Sequence, residues 1–124
     1  MRKTVTITWL RLPESHDYLA AASYLALTYK DVQVAKLIQK LKKASMTEFK
    51  AKDIFRASGL SLLGISNAHI AKDRKKIEAG RPLSSLLLIR DPQQGKVIIA
   101  DGYHRLCAAY SFNEDAIISC KIAG

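Results

Sequence analysis

No apolar run in this chain approaches the ~20 residues that a membrane-spanning helix needs. The opening stretch MRKTVTITWLRLPESHDY carries Arg2 and Lys3, but its apolar part is short and broken by threonine and arginine, so no signal peptide is read there. Cysteine is scarce: Cys107 and Cys120 are the only two, they sit in apolar surroundings, and they lack the spacing of a CxxC or His/Cys metal site. Buried free thiols in a reducing cytoplasm are expected in preference to a disulfide or a metal site. Aromatic residues make up only 7%, too few to interleave with the positive charge as a base-stacking surface requires. There is no internal repeat and no low-complexity tract.

What remains has the composition of a globular protein. Of the 124 residues, 48% are apolar and 25% charged, which is enough apolar material to bury a core and rules out wholesale disorder. The formal charge is +9 and the pI about 9.7. Such a surface attracts polyanions: nucleic acid, nucleotides or acidic proteins. A solvated basic protein with no anionic partner has the same charge, so the charge is permissive only.

Alternation of threonine with apolar residues in TVTITWLRL predicts a half-buried strand that Pro13 ends. Ser15 or Asp17 is placed to cap a well-buried, Ala- and Leu-rich helix over DYLAAASYLALTY. A second helix starts at Asp31, with Val32, Ala35, Leu37, Ile38 and Leu41 at helical spacing and Lys36, Lys40, Lys42 and Lys43 on the wet side. Phe49, Ala51 and Asp53 alternate with lysines and predict a short strand running into a turn at Ser58-Gly59-Leu60. Asn67 caps a helix over NAHIAKDRKKIEAG that Gly80 and Pro82 close. Next come a hairpin from LSSLLLIRD and KVIIAD, a helix over YHRLCAAYSF, and a last strand, IISCKIA. The pattern predicts an α+β fold with a small mixed sheet and packed helices. It divides at 1–45, a strand and helical extension, and 46–124, a core domain.

The joint between the KVIIAD strand and the helix that follows reads Asp101-Gly102-Tyr103-His104-Arg105. Gly102 lets the backbone turn sharply and approach a ligand. Tyr103, His104 and Arg105 fall in the first helical turn, where unpaired N–H groups and the helix dipole favour an anion. Arginine adds a planar fork of donors that matches phosphate oxygens, and histidine adds one or two more. Asp101 is placed to cap the helix, to hold Arg105, or to help coordinate Mg²⁺ with a nucleotide. A plainer set of roles exists: Asp101 as cap, Arg105 as its ion-pair partner, and a structural His104. The combination favours a phosphate-binding joint.

These residues resemble the ParB/sulfiredoxin superfamily, whose signature is a strand, then Gly-x-[His/Arg]-Arg opening a helix of small residues, then a short closing strand. ADGYHRLCAAY, preceded by the hairpin and followed by IISCKI, matches that pattern, and the upstream segments FKAKDIFRAS and NAHIAKDRKKIEAG follow the family's order. The likeness covers about residues 47–124. It implies a nucleoside triphosphate, ATP or CTP, with Mg²⁺ as ligand, bound at Gly102, Tyr103, His104 and Arg105. Asp101 and His104 are then the catalytic candidates, with Asp101 near the metal. It further implies that the short helix before the hairpin faces the same nucleotide. His69, Lys72 and Lys76 lie on one side of that helix, at i, i+3 and i+7. An ordinary solvated face fits them equally, and Asp73 is a weaker candidate.

Superfamily members use the nucleotide differently. Tyr103 stands where sulfiredoxins carry their nucleophilic cysteine, so that thiol chemistry is not expected, and Cys107 is a turn too far on. The last predicted strand lies at the end of the given sequence, so the DNA-binding domain of ParB clamps is not expected after it. In kinases of free amino acids, phosphate passes to a small hydroxyl. There His104, Arg105, Lys72 and Lys76 would hold phosphate, and Asp53 or Glu48 would act as base. The expected function is therefore binding of a nucleotide or other phosphorylated ligand at the joint, with phosphoryl transfer or hydrolysis as its enzymatic form. The alternative is a non-enzymatic module that binds DNA or protein through its basic surface.

Overall fold

A computed structural model describes residues 5–62, 64 and 67–124. Five helices surround one four-stranded sheet: α1 (Ser15–Leu25), α2 (Asp31–Lys43), β1 (Thr47–Lys50), α3 (Ala51–Ser58), α4 (Ala68–Glu78), β2 (Leu86–Asp91), β3 (Lys96–Asp101), α5 (Tyr103–Phe112) and β4 (Ile117–Ala123). The strand order is β1-β4-β2-β3, with β2 and β4 parallel and the other two pairs antiparallel. The fold is thus α+β with a mixed sheet.

Strand alternation sends successive side chains to opposite faces, and both faces of this sheet are covered. Leu86, Leu88 and Ile99 pack with α3, α4 and α5 through Ile54, Phe55, Ile70, Ile77 and Leu106. Leu87, Ile89 and Ala100 pack on the other side against Ala21 and Leu25 of α1 and Val34 and Leu41 of α2. That explains why LLLI reads as a continuous apolar run: β2 is an inner strand wetted on neither face. The helical pair expected as an extension supplies the second covering layer.

Several local expectations are corrected. Within the described part of the first predicted strand there is only an isolated bridge between Trp9 and Leu83, flanked by the Leu10 N–H to Leu83 C=O and Leu83 N–H to Thr8 C=O bonds, both 2.8 Å. Pro13 has no N–H to continue a ladder beyond this bridge. Thr4, the first residue of that predicted strand, lies outside the described residues. The strand expected through Ala51 and Asp53 stops at Lys50, and Ala51–Ser58 is helical. Buried Ala51, Ile54 and Phe55 have helical spacing, and Gly59 closes the helix at φ +68°. α1 ends at Leu25 and buries only one side: Leu19 and Tyr24 are exposed, while Asp17, Ala21 and Leu25 face inward, and Leu27 is exposed in the turn that follows. Its N-cap is Glu14, and Asp17 acts three residues on, accepting from the Glu14 N–H at 2.8 Å. In α2 the buried stripe runs through Val34 and Leu41, leaving Val32 and Ala35 exposed. The four lysines Lys36, Lys40, Lys42 and Lys43 are exposed as expected.

Candidate functional site

The hairpin hands the chain to α5 through an irregularity. Leu87 pairs with Asp101 and Leu88 with Ile99, so Ala100 is an extra residue on β3. Such a bulge re-aims the side chain beside it. Here it carries Asp101 toward α1, whose Asp17 is its neighbour. Gly102 then turns the chain at φ +104°, and the first α5 bond runs from the Leu106 N–H to the Gly102 C=O at 2.9 Å. No side chain caps this end, so the N–H groups of the first turn remain for a ligand. Of the roles left open for Asp101, capping is not the one seen: its carboxylate holds Arg105.

Arg105 is the hub. Its Nη2 donates to Asp101 Oδ2 at 3.0 Å and to the Ser85 C=O at 3.3 Å, and lies 3.9 Å from Asp17 Oδ1. Asp17 is 1% exposed, so α1 sends one buried carboxylate into the base of the site. Burial pushes the Asp101 carboxyl above its ordinary range. The Arg105 charge and hydrogen bond pull it back only partly, and Asp17 pushes it further up.

The sequence candidates from the two helices meet. His69, Lys72, Asp73 and Lys76 of α4 and all five residues from Asp101 to Arg105 line one pocket of about 230 Å³. The rings of His69 and His104 are stacked with centroids 4.8 Å apart. Burial holds the His104 imidazole below the usual histidine range, helped by His69 and Arg105 and opposed by Asp73. It is therefore uncharged at neutral pH. The Tyr103 hydroxyl donates to the Ser61 C=O, and its ring packs edge-on against Phe55 at 6.4 Å.

Two candidates for a base do not reach this pocket. Glu48 pairs with Ser119 in the edge strand β1, and Asp53 lines a separate apolar pocket with Phe49, Ile54, Leu88 and Ile122. Sequence reasoning missed the role of Asp17 and Ser85. The capping box at Glu14 marks Asp17 as a helix-start residue, and nothing local signals its second contact with α5. Both cysteines are buried and neither forms a disulfide; burial pushes the Cys120 thiol to about 12, where it is inert.

A magnesium ion that arrives with a nucleotide takes one or two protein carboxylates and completes its shell with phosphate oxygens and water. Asp101, the expected metal contact, has Oδ2 committed to Arg105, and among the described residues no group of three His, Cys, Asp or Glu side chains is gathered for a metal. These residues do not fit a magnesium site held by the protein. Among the described residues no helix is long and apolar enough to cross a membrane. No protein-family model, curated protein or solved structure matches this chain.

Proposed function

We propose that the pocket between α4 and α5 binds the phosphate of a nucleotide or similar phosphorylated ligand. One observation carries this reading: Lys72 and Lys76 converge with His104, Arg105 and the uncapped start of α5 on a single small pocket. Gly102, with no side chain, lets a ligand oxygen approach the backbone there. The likeness of Asp-Gly-Tyr-His-Arg to the ParB/sulfiredoxin joint supports the same reading, as does the +9 charge that would draw an anion in.

The roles then divide. The two lysines neutralise phosphate charge, and the α5 amides fix its oxygens. Arg105 sets the floor and is itself oriented by Asp101, which in this reading is a positioning residue. His104, uncharged near pH 7, is the group able to accept a proton from a hydroxyl brought to the phosphate. Turnover would be read as release or transfer of phosphate from ATP or CTP, with Mg²⁺ carried in on the nucleotide.

Titration calorimetry with ATP and CTP, with and without Mg²⁺, tests the binding. Replacing both lysines, Lys72→Gln with Lys76→Gln, is expected to weaken binding about tenfold per lysine, since a hydrogen bond to a charged group contributes about 1.5–3 kcal/mol. The melting temperature should not move, because Lys72 is exposed and Lys76 half-buried. Neutralising Lys40 and Lys43 on α2 should leave nucleotide affinity unchanged. If the α2 pair matters more than the α4 pair, the protein is a basic-surface module for DNA or protein.

Binding should also strengthen as pH falls. In the free protein His104 is held below the ordinary ~6.5. A bound phosphate opposes that depression and raises the value, so a proton is taken up on binding. The affinity of the native protein should therefore rise by up to about tenfold per pH unit below 7 relative to His104→Asn, the limit set by uptake of one proton. Comparison with the variant removes the ligand's own titration. Parallel pH profiles for the two proteins would remove His104 from the site.

A further inference from the structure

The pocket has the size and the lining for a phosphate and no room prepared for what the phosphate is attached to. Ordinary small-molecule sites enclose about 300–1,000 Å³ and are mostly apolar, with a few polar groups for orientation. This one is about 230 Å³, and no aliphatic side chain lines it. Its aromatic surfaces are already partly engaged. His69 and His104 each cover a face of the other, Tyr103 packs on Phe55, and the Tyr103 hydroxyl is bound to the Ser61 carbonyl. A nucleobase is held by an aromatic platform and by edge donors and acceptors; among the described residues the rings lining this pocket are partly covered by their neighbours, and the other lining side chains are charged.

The charges limit the ligand in the same way. Arg105 and Asp101 largely satisfy each other at 3.0 Å. That leaves Lys72 and Lys76 against Asp73, an excess of one positive charge in the pocket. This excess, with the α5 amides, suits one terminal phosphate. It does not suit a fully enclosed triphosphate, whose inner charges would be left uncompensated away from water.

Resting on the phosphate-binding reading above, we infer that the site recognises a terminal phosphate group and is indifferent to its carrier. Nucleoside triphosphates, bare polyphosphates and small phosphomonoesters are then alternative ligands of one pocket, with base and sugar in solvent.

The test is a calorimetric series on the full chain at fixed ionic strength: ATP, CTP, tripolyphosphate, pyrophosphate and adenosine. The expected result is that ATP, CTP and tripolyphosphate bind within about threefold of one another and adenosine does not bind, and that Lys72→Gln with Lys76→Gln weakens the first three by the same factor. One nucleotide binding more than about tenfold tighter than tripolyphosphate overturns the inference and leaves the phosphate reading standing. Binding of adenosine alone also overturns it. If no phosphate compound binds, the proposed function falls, and the inference with it.

Discussion

Arg105→Ala is expected to destabilise the protein by about 2–4 kcal/mol at pH 7, a fall in melting temperature of roughly 10 °C for a chain of this size. The arginine is the only cation within 4.0 Å of Asp101 and the one that joins it to Asp17 among the described residues. Removing it leaves two neighbouring carboxylates in a poorly solvated place, and breaking a buried pair in this way costs about 3–5 kcal/mol. Two features reduce that. Arg105 is 19% exposed and Asp101 15%, so water reaches the gap. Arg105 Nε is also buried without a hydrogen-bond partner among the described residues, an existing cost that the substitution relieves.

The loss should depend on pH with a definite sign. The Asp101 carboxyl already sits above its ordinary value, and Arg105 is what lowers it. Without the arginine its folded value rises further, so the native state binds a proton that the unfolded chain releases. The penalty is then full above that raised value and fades as pH falls through it toward the value Asp101 has in the native protein. Urea denaturation at pH 7 and pH 5 reads this as a narrowing gap between variant and wild type. Adding Asp101→Asn to Arg105→Ala should recover part of the lost stability. A melting temperature lowered by less than about 2 °C, or a gap independent of pH, would show that the Asp17–Arg105–Asp101 cluster does not hold the joint.

Gly102→Ala is expected to cost about 2–5 kcal/mol, from strain at positive φ and from overpacking, each about 1–3 kcal/mol. A Cβ there would lie 2.6 Å from Leu86 Cγ and 3.0 Å from Arg105 Nη2. Leu86 is fully buried beneath the sheet's helical layer and has nowhere to move. The Arg105 end would be displaced instead, disturbing both its bond to Asp101 and the pocket. Gly80→Ala is the matched control. That glycine has φ +73° but nothing within 4 Å of an added Cβ, so it carries the backbone strain alone. Equal losses for the two variants in chemical denaturation would mean that close packing at Gly102 contributes nothing.

How much of this was legible beforehand follows from the range of each interaction. Asn67 caps α4 as read, accepting from the His69 N–H at 2.9 Å, because a cap is decided within three residues. The β2–β3 hairpin and the α5 start were legible for the same reason: two apolar runs flank a short Pro-Gln-Gln-Gly turn, and a glycine stands at the strand–helix joint. The segment from Phe49 to Asp53 was not. Over five residues, period two and period 3.6 both fit, and the helical choice depends on Ile54 and Phe55 finding the core formed by β2, β3 and α5. The apolar texture of α1 hid which face is buried, since leucine and alanine occur on both.

The sequence by itself determined most of the helices, the hairpin, the turn at Gly102 and the grouping of Tyr103, His104 and Arg105, because these depend on side-chain periodicity and backbone freedom within a few residues. That α4 faces the joint was expected from a resemblance and from no local pattern, and only the tertiary structure decided that His69 stacks on His104 there, with both lysines lining the same pocket. It also decided that Arg105 is held by an aspartate from α1 and another released by a bulge. Those contacts join segments far apart in the chain, and their energies come from burial and from charge in a place water reaches poorly, which no local pattern encodes.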